Sequence, residues 1–189
     1  MKTIKLLATA ILLTIGITSV KAQSGDITIG VKAGISVSTL KTGLNAVSDK
    51  SGKVGFNAGI FARAGDALYF QPEVNYATFS NKYSFNANKY DAKFSTINVP
   101  LLVGYKLIND KDMNLRISAG PDLYYDLKKH VAPTGTEYKK FSAGGAADVG
   151  IDLGSLTLDA RYSLGLSKLN KDLGQKANIF SLAVGFKFQ

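Results

Sequence analysis

The sequence predicts an all-β protein, an eight-stranded antiparallel up-and-down transmembrane β-barrel of the outer-membrane type, and three observations predict it. Apolar and polar residues alternate with a period of two through eight stretches. The cleanest is Ile27 to Leu40, where Ile27, Ile29, Val31, Ala33, Ile35 and Val37 oppose Thr28, Gly30, Lys32, Gly34, Ser36 and Ser38. Such a strand shows one apolar and one polar face, and a tilted strand needs about 9 to 11 residues to cross a bilayer. The connections alternate long and short, and aromatic residues of the apolar face gather near both ends of the strands. Long loops on one side, tight turns on the other and two aromatic girdles together describe a membrane barrel.

Composition alone points elsewhere. A hydrophobic share of 46% and a charged share of 20% suit an ordinary soluble protein, but a barrel alternates its residues and so averages to the same values. No window beyond the N-terminus reaches the roughly 18 apolar residues of a membrane helix. The first residues differ from the rest: Lys2 and Lys5 make a basic start, Leu6 to Ile17 an apolar run, and Val20-Lys21-Ala22 a small-residue cleavage site. We read residues 1–22 as a secretory signal peptide and 23–189 as the barrel domain. The chain carries +9, or +6 without Lys2, Lys5 and Lys21, and it has no cysteine, so neither disulfides nor thiol chemistry are available.

Taken in order, the first strand is followed by a polar loop from Lys41 to Lys53, and the second, Val54 to Ala64, by a tight turn at Gly65-Asp66-Ala67. The third begins at Leu68 and gives way to a polar excursion from Asn81 to Lys93. The fourth, Phe94 to Leu107, turns at Asn109–Asp112 into the fifth, Asn114 to Leu127, and Lys128 to Lys140 forms the third long loop. The sixth, Phe141 to Leu153, meets the seventh, Leu156 to Leu169, through a two-residue hairpin at Gly154-Ser155. A loop from Lys168 to Lys176 leads to the eighth, Ala177 to Phe188. Pro72, Pro100 and Pro121 lie within strands that a closed sheet pairs on both sides, so bulges are expected near Pro100 and Pro121.

A soluble lipocalin-like barrel would show the same alternation with its apolar face inward. Eight strands enclose an interior only just wide enough for side chains, and Gly, Ser, Ala and Asn fit it better than the large apolar residues of the opposite face. With the apolar face outward, Phe56, Tyr76, Tyr125, Phe141 and Phe180 lie towards the loop ends, and Phe70, Tyr105, Phe186 and Phe188 towards the turn ends. Tyr162 falls mid-strand, outside both girdles.

The segments Gly30-Val31-Lys32-Ala33-Gly34, Phe70-Gln71-Pro72-Glu73, Ile97-Asn98-Val99-Pro100-Leu101-Leu102, Gly120-Pro121-Asp122-Leu123-Tyr124-Tyr125 and Val184-Gly185-Phe186-Lys187-Phe188 together resemble the PorT-like, or "porin family", outer membrane β-barrel proteins of Bacteroidota. The resemblance implies a location in the cell outer membrane and assembly by the outer-membrane insertion machinery, which reads a last strand ending in an outward aromatic. Phe188 matches that signal, although Gln189 follows it. These motifs are architectural rather than catalytic.

Catalytic chemistry is hard to place. His130, the single histidine, sits in a loop without a placed Ser or Asp partner, and Gly52-Lys53 lacks the upstream glycine of a phosphate loop. Neither an enzyme nor a cofactor or metal site is therefore expected. Strand parity sends Lys32, Arg63, Arg116, Arg161 and Lys187 inside with Glu73, Asp122, Asp126, Asp148, Asp152 and Asp159, where they read as a lumen charge network. Counting back from the Gly154-Ser155 turn sets Asp148 opposite Arg161. The four long loops hold thirteen lysines against Asp49, Asp91, Glu137 and Asp172. Of these, Lys128, Lys129, Lys139 and Lys140 flank one loop and form a candidate site for anionic lipopolysaccharide. The expected role is structural or surface-interacting, as a monomer in outer-membrane lipid with no open channel and no nucleic-acid partner. A narrow solute or ion pore is the alternative, and a lipid-modifying enzyme a lesser one.

Overall fold

The computed structural model describes residues 27–41, 47–85, 88–110, 112–127, 139–167 and 176–188. The signal-peptide reading, Lys128, Lys129, His130 and Gln189 lie outside the described residues. Eight strands follow one another: β1 (Ile27–Lys41), β2 (Val47–Gly65), β3 (Leu68–Phe85), β4 (Asn88–Asn109), β5 (Met113–Asp126), β6 (Phe141–Leu153), β7 (Leu156–Gly165) and β8 (Lys176–Phe188). Each pairs antiparallel with its neighbours in sequence, and β8 returns to β1, so the sheet is a closed barrel. The tight turns use glycine where the backbone turns left-handed, with φ of 116° at Gly65 and 57° at Gly154.

The alternation resolves into an apolar outside and a polar inside. Ile29, Ile35, Leu182 and Val184 are exposed around the outer wall, while Arg116, Gln71 and Asp152 are at most 1% exposed within it. Inward glycines make room for large neighbours. A Cβ at Gly150 would overlap the Arg116 guanidinium and the Asp159 carboxylate, and one at Gly104 would overlap the Tyr69 ring.

Several sequence expectations need correction. The supposed loop from Asn81 to Lys93 is largely strand: β3 runs to Phe85, β4 starts at Asn88, and the ladder continues through Tyr83↔Tyr90 to Phe85↔Asn88. Likewise β2 begins at Val47, inside the expected loop from Lys41 to Lys53. The β1–β2 ladder ends at Val37↔Val54 and the β4–β5 ladder at Thr96↔Asp126. Beyond those points β2, β3 and β4 continue as a three-stranded ribbon, over which the sequence lacks the apolar alternation that marks a membrane strand.

No register shift occurs at Pro100 or Pro121. The ladder passes from Pro100↔Asp122 to Val103↔Ala119 with equal residue counts on both strands, and Pro121↔Gly145 sits in an unbroken β5–β6 ladder. A proline removes one donor from a ladder, which needs no extra residue to absorb it. The shifts lie instead at Ser48/Ser51, Lys53/Asn57 and Lys106/Ile108, near the outer and inner ends of the strands. Tyr162 is also relocated. Because β7 stops at Gly165 rather than Leu169, Tyr162 stands directly beside Phe180 and joins the outer girdle.

A closed barrel with this outer wall should migrate faster on a gel when unboiled than when boiled, because the sheet survives detergent. Identical migration of boiled and unboiled protein would contradict the fold.

Candidate functional site: a braced lumen beneath a basic rim

Inward positions on all eight strands meet in a lumen too narrow for bulk water, so the charged groups there must satisfy one another. The eleven charged residues that strand parity sends inward are all buried. They form three connected layers.

Nearest the tight turns, Asp152 on β6 accepts from three cations. Arg63 Nη1 on β2 lies at 2.6 Å, Arg116 Nε on β5 at 2.9 Å and Lys187 Nζ on β8 at 3.2 Å. Arg116 Nη2 also donates to Thr157 Oγ1 at 2.6 Å and to Asp159 Oδ1 at 2.7 Å, tying in β7. The Arg63 guanidinium lies over the Phe61 and Tyr69 rings, 5.5 and 5.2 Å from their centroids, so two inward aromatics supply a cation–π floor.

The middle layer centres on Glu73 of β3. Arg161 of β7 grips it in a bidentate fork, with Nη1 to Oε2 at 2.8 Å and Nη2 to Oε1 at 2.7 Å. Lys32 Nζ of β1 reaches Oε2 at 2.7 Å, and the Gln71 and Asn75 amides donate at 2.8 and 3.0 Å. The register sets Asp148 directly opposite Arg161, whose Nε donates to Asp148 Oδ2 at 3.0 Å. Gln71 Oε1 accepts from Arg63 Nε at 2.7 Å and so joins this layer to the first.

In the outer layer Asp122 of β5 accepts from neutral donors: Tyr124 Oη and Ser163 Oγ, each at 2.6 Å, and Asn98 Nδ2. Asp126 is buried nearby. A cavity of about 40 Å³ lies between the middle and outer layers, lined in part by Lys32, Asn75, Asn98, Asp148, Arg161 and Ser163. A cavity needs about 10 to 15 Å³ to admit one water, so this one has room for no more than a few. A second, of about 20 Å³, lies beside Phe79, Tyr124 and Ile179. Among the described residues no group of three or more His, Asp or Glu side chains is placed to hold a metal ion.

Of the rim lysines, Lys139 and Lys140 are exposed, and Lys140 Nζ stands 6.0 Å from the centroid of the girdle residue Tyr125. Lys128 and Lys129 lie outside the described residues. Counting along hairpins could not find the Arg161–Glu73 and Arg63–Asp152 bridges, which join residues 88 and 89 apart on strands that do not touch. Their one sequence signal is inward parity on facing walls. Asn98, Tyr124 and Ser163, the donors to Asp122, carried no charge to draw attention to them.

Removing Arg161 leaves both Glu73 and Asp148 short of a partner, whereas removing Asp148 leaves Arg161 still held by Glu73. Arg161→Ala should therefore cost more in urea unfolding from lipid vesicles than Asp148→Ala, about 3 to 5 kcal/mol for the former, with the double substitution costing less than the sum. Strictly additive losses would show that the pair is uncoupled.

Among solved structures, the outer membrane protein OprG from Pseudomonas aeruginosa is similar in fold with a TM-score of 0.59 at 12% identity, covering 87% of this chain and 97% of that one. Neisserial surface protein A (NspA) is similar with a TM-score of 0.54 at 17% identity, covering 86% and 99%. No curated protein matches the chain. The family described as "Outer membrane protein beta-barrel domain" matches residues 21–171, within which the first seven strands and the whole β3–β7 bracing fall. The chain belongs to that outer membrane protein β-barrel domain family.

Proposed function

We propose that this protein is a small outer-membrane barrel that works as a structural and surface-interacting element, with no solute path through its lumen. The observation that carries the reading is the filled cross-section: Arg116, Asp152, Thr157, Gln71 and Glu73 come from four strands and each is at most 2% exposed. Opening a water-wide path would require breaking several charge-assisted bonds at once, leaving charges uncompensated in a low-dielectric interior. On this reading the mature chain starts after Ala22, and the motifs that resemble the PorT-like group of Bacteroidota support membership of that group. Among the described residues the serine that meets a carboxylate, Ser163 on Asp122, is buried in the lumen and faces away from lipid, so a lipid-modifying enzyme is the weaker alternative.

The test is conductance. Purified protein in planar bilayers should give no discrete current steps, and reproducible steps in the wild type would favour the narrow pore instead.

A specific observation supports contact with anionic lipopolysaccharide: Lys139 and Lys140 are exposed beside Tyr125, at the level where the outer girdle meets headgroups. Attraction between exposed charges fades beyond a Debye length of about 8 Å at physiological salt. Replacing Lys128, Lys129, Lys139 and Lys140 with glutamine should leave the heat-dependent gel shift intact and weaken association with purified lipopolysaccharide, most at low salt. Binding that stays unchanged at every ionic strength would remove this reading.

A further inference from the structure

The charges of the lumen are unevenly spread along its axis. Nearest the tight turns, Arg63, Arg116 and Lys187 meet Asp152 and Asp159, three positive charges against two negative. Around the cavity of about 40 Å³ the balance is reversed. Lys32, Arg161 and Asp148 line it, Glu73 lies behind the two cations, and Asp122 lies behind Asn98, Tyr124 and Ser163, so two positive charges stand against three negative. The three groups that hold Asp122 are all neutral. A charge left unmatched in a low-dielectric interior is costly unless an opposite charge joins it.

Two of the lining residues, Asp148 and Asn75, are 3 and 4% exposed and hold unused acceptors. Arg161 Nε donates to Asp148 Oδ2 at 3.0 Å, while Asp148 Oδ1, buried as well, has no hydrogen-bond partner. Asn75 turns Nδ2 to Glu73 Oε2 at 3.0 Å and keeps a buried Oδ1 that likewise has none. Ser36 and Ser163 add hydroxyl oxygens to the same lining, and Ser163 gives its proton to Asp122, so it can meet a further group only as an acceptor. Lys32 and Arg161 direct Nζ and both Nη atoms to Glu73. Phe79 and Ile179, both buried, line the cavity towards the outer mouth.

We infer that this cavity is a binding site for one alkali cation, held by Asp148 Oδ1 together with the neutral oxygens of Asn75, Ser36 and Ser163. The inference goes beyond the structural and surface-interacting reading, since it gives the closed lumen a resident ion that is held rather than passed. One added positive charge brings the surroundings of the cavity to three against three. A single free carboxylate oxygen among neutral oxygens suits a single charge. Calcium takes several carboxylate and carbonyl oxygens and magnesium keeps several waters, whereas this cavity admits only a few waters and no three Asp, Glu or His side chains gather among the described residues. The Arg161–Glu73 layer closes the site on one side, and Phe79 and Ile179 close it on the other.

The experiment is urea unfolding of the mature full-length barrel from lipid vesicles at constant ionic strength, with sodium, potassium or rubidium chloride replaced stepwise by N-methylglucamine chloride, whose cation is too large for the cavity. In the wild type at least one alkali cation should lower the unfolding equilibrium constant, about elevenfold at ten times its half-saturating concentration. Asp148→Asn keeps an acceptor for Arg161 and removes the charge, so it should lose that dependence. Asp66→Asn, which changes a carboxylate at a tight turn outside the lumen, should retain it and so controls for ions held by headgroups. Rubidium-soaked crystals should show an anomalous peak against Asp148 in the wild type and none there in Asp148→Asn. Each variant is first checked for the heat-dependent gel shift, and if Asp148→Asn does not fold, the wild-type rubidium peak decides alone. Unfolding that is identical in alkali and N-methylglucamine salts overturns the site, as does a dependence that survives intact in Asp148→Asn. Density at the cavity without an anomalous signal assigns it to water and overturns the site as well. Current steps in bilayers would refute the closed-lumen reading without touching the rubidium result.

Discussion

Every peptide group that crosses hydrocarbon must be hydrogen-bonded within the protein, because an unpaired one costs several kcal/mol. For a chain built from strands this demand is met only when the last strand pairs with the first. The β1–β8 ladder does so from Ile29↔Phe188 to Lys41↔Lys176. Closure then dictates the rest. Because the closing pair is antiparallel the strand count is even, long and short connections fall on opposite sides, and polar residues have one place to go, the inside.

That inside is narrow, and its contents show what narrowness requires. Five cations and six carboxylates are buried there, and no ladder pairing alone could neutralise them. The bridges that matter run across the lumen: Arg161 to Glu73, Arg63 to Asp152 and Lys32 to Glu73 join strands that share no hydrogen-bonded edge. Glycine at 150 lets the Arg116 guanidinium lie flat against the wall between Asp152 and Asp159. Buried ion pairs are weak sources of net stability, since desolvation offsets much of their attraction. Here their effect is to hold facing walls at a set distance across the lumen.

The outer surface is uneven. β7 spans 10 residues and β4 spans 22, so the β2–β4 side extends as a ribbon beyond the lower β5–β1 side. Lys139, Lys140, Lys176 and Lys41 lie at the ends of strands on that low side.

The alternation of Ile27–Lys41 and its counterparts was enough to determine strand number, antiparallel order, the outward apolar face and the inward set of eleven charges, because strand parity is a local property of the chain. The Gly154-Ser155 hairpin even placed Asp148 opposite Arg161, since a two-residue turn leaves no freedom of register. Parity failed where its physical cause was missing. In 81–85 and 88–93 the chain continues as strand without an apolar period to announce it. At Pro100 and Pro121 the sequence shows a lost donor but not whether the neighbouring strand must shift to accommodate it. Which cation meets which carboxylate across the lumen, the place of Tyr162 beside Phe180, and the meeting of Lys41 with Lys176 were decided only by the tertiary structure. Those contacts depend on how far each strand is sheared against the next around the whole barrel, and that shear is set jointly by all eight ladders rather than by any one segment.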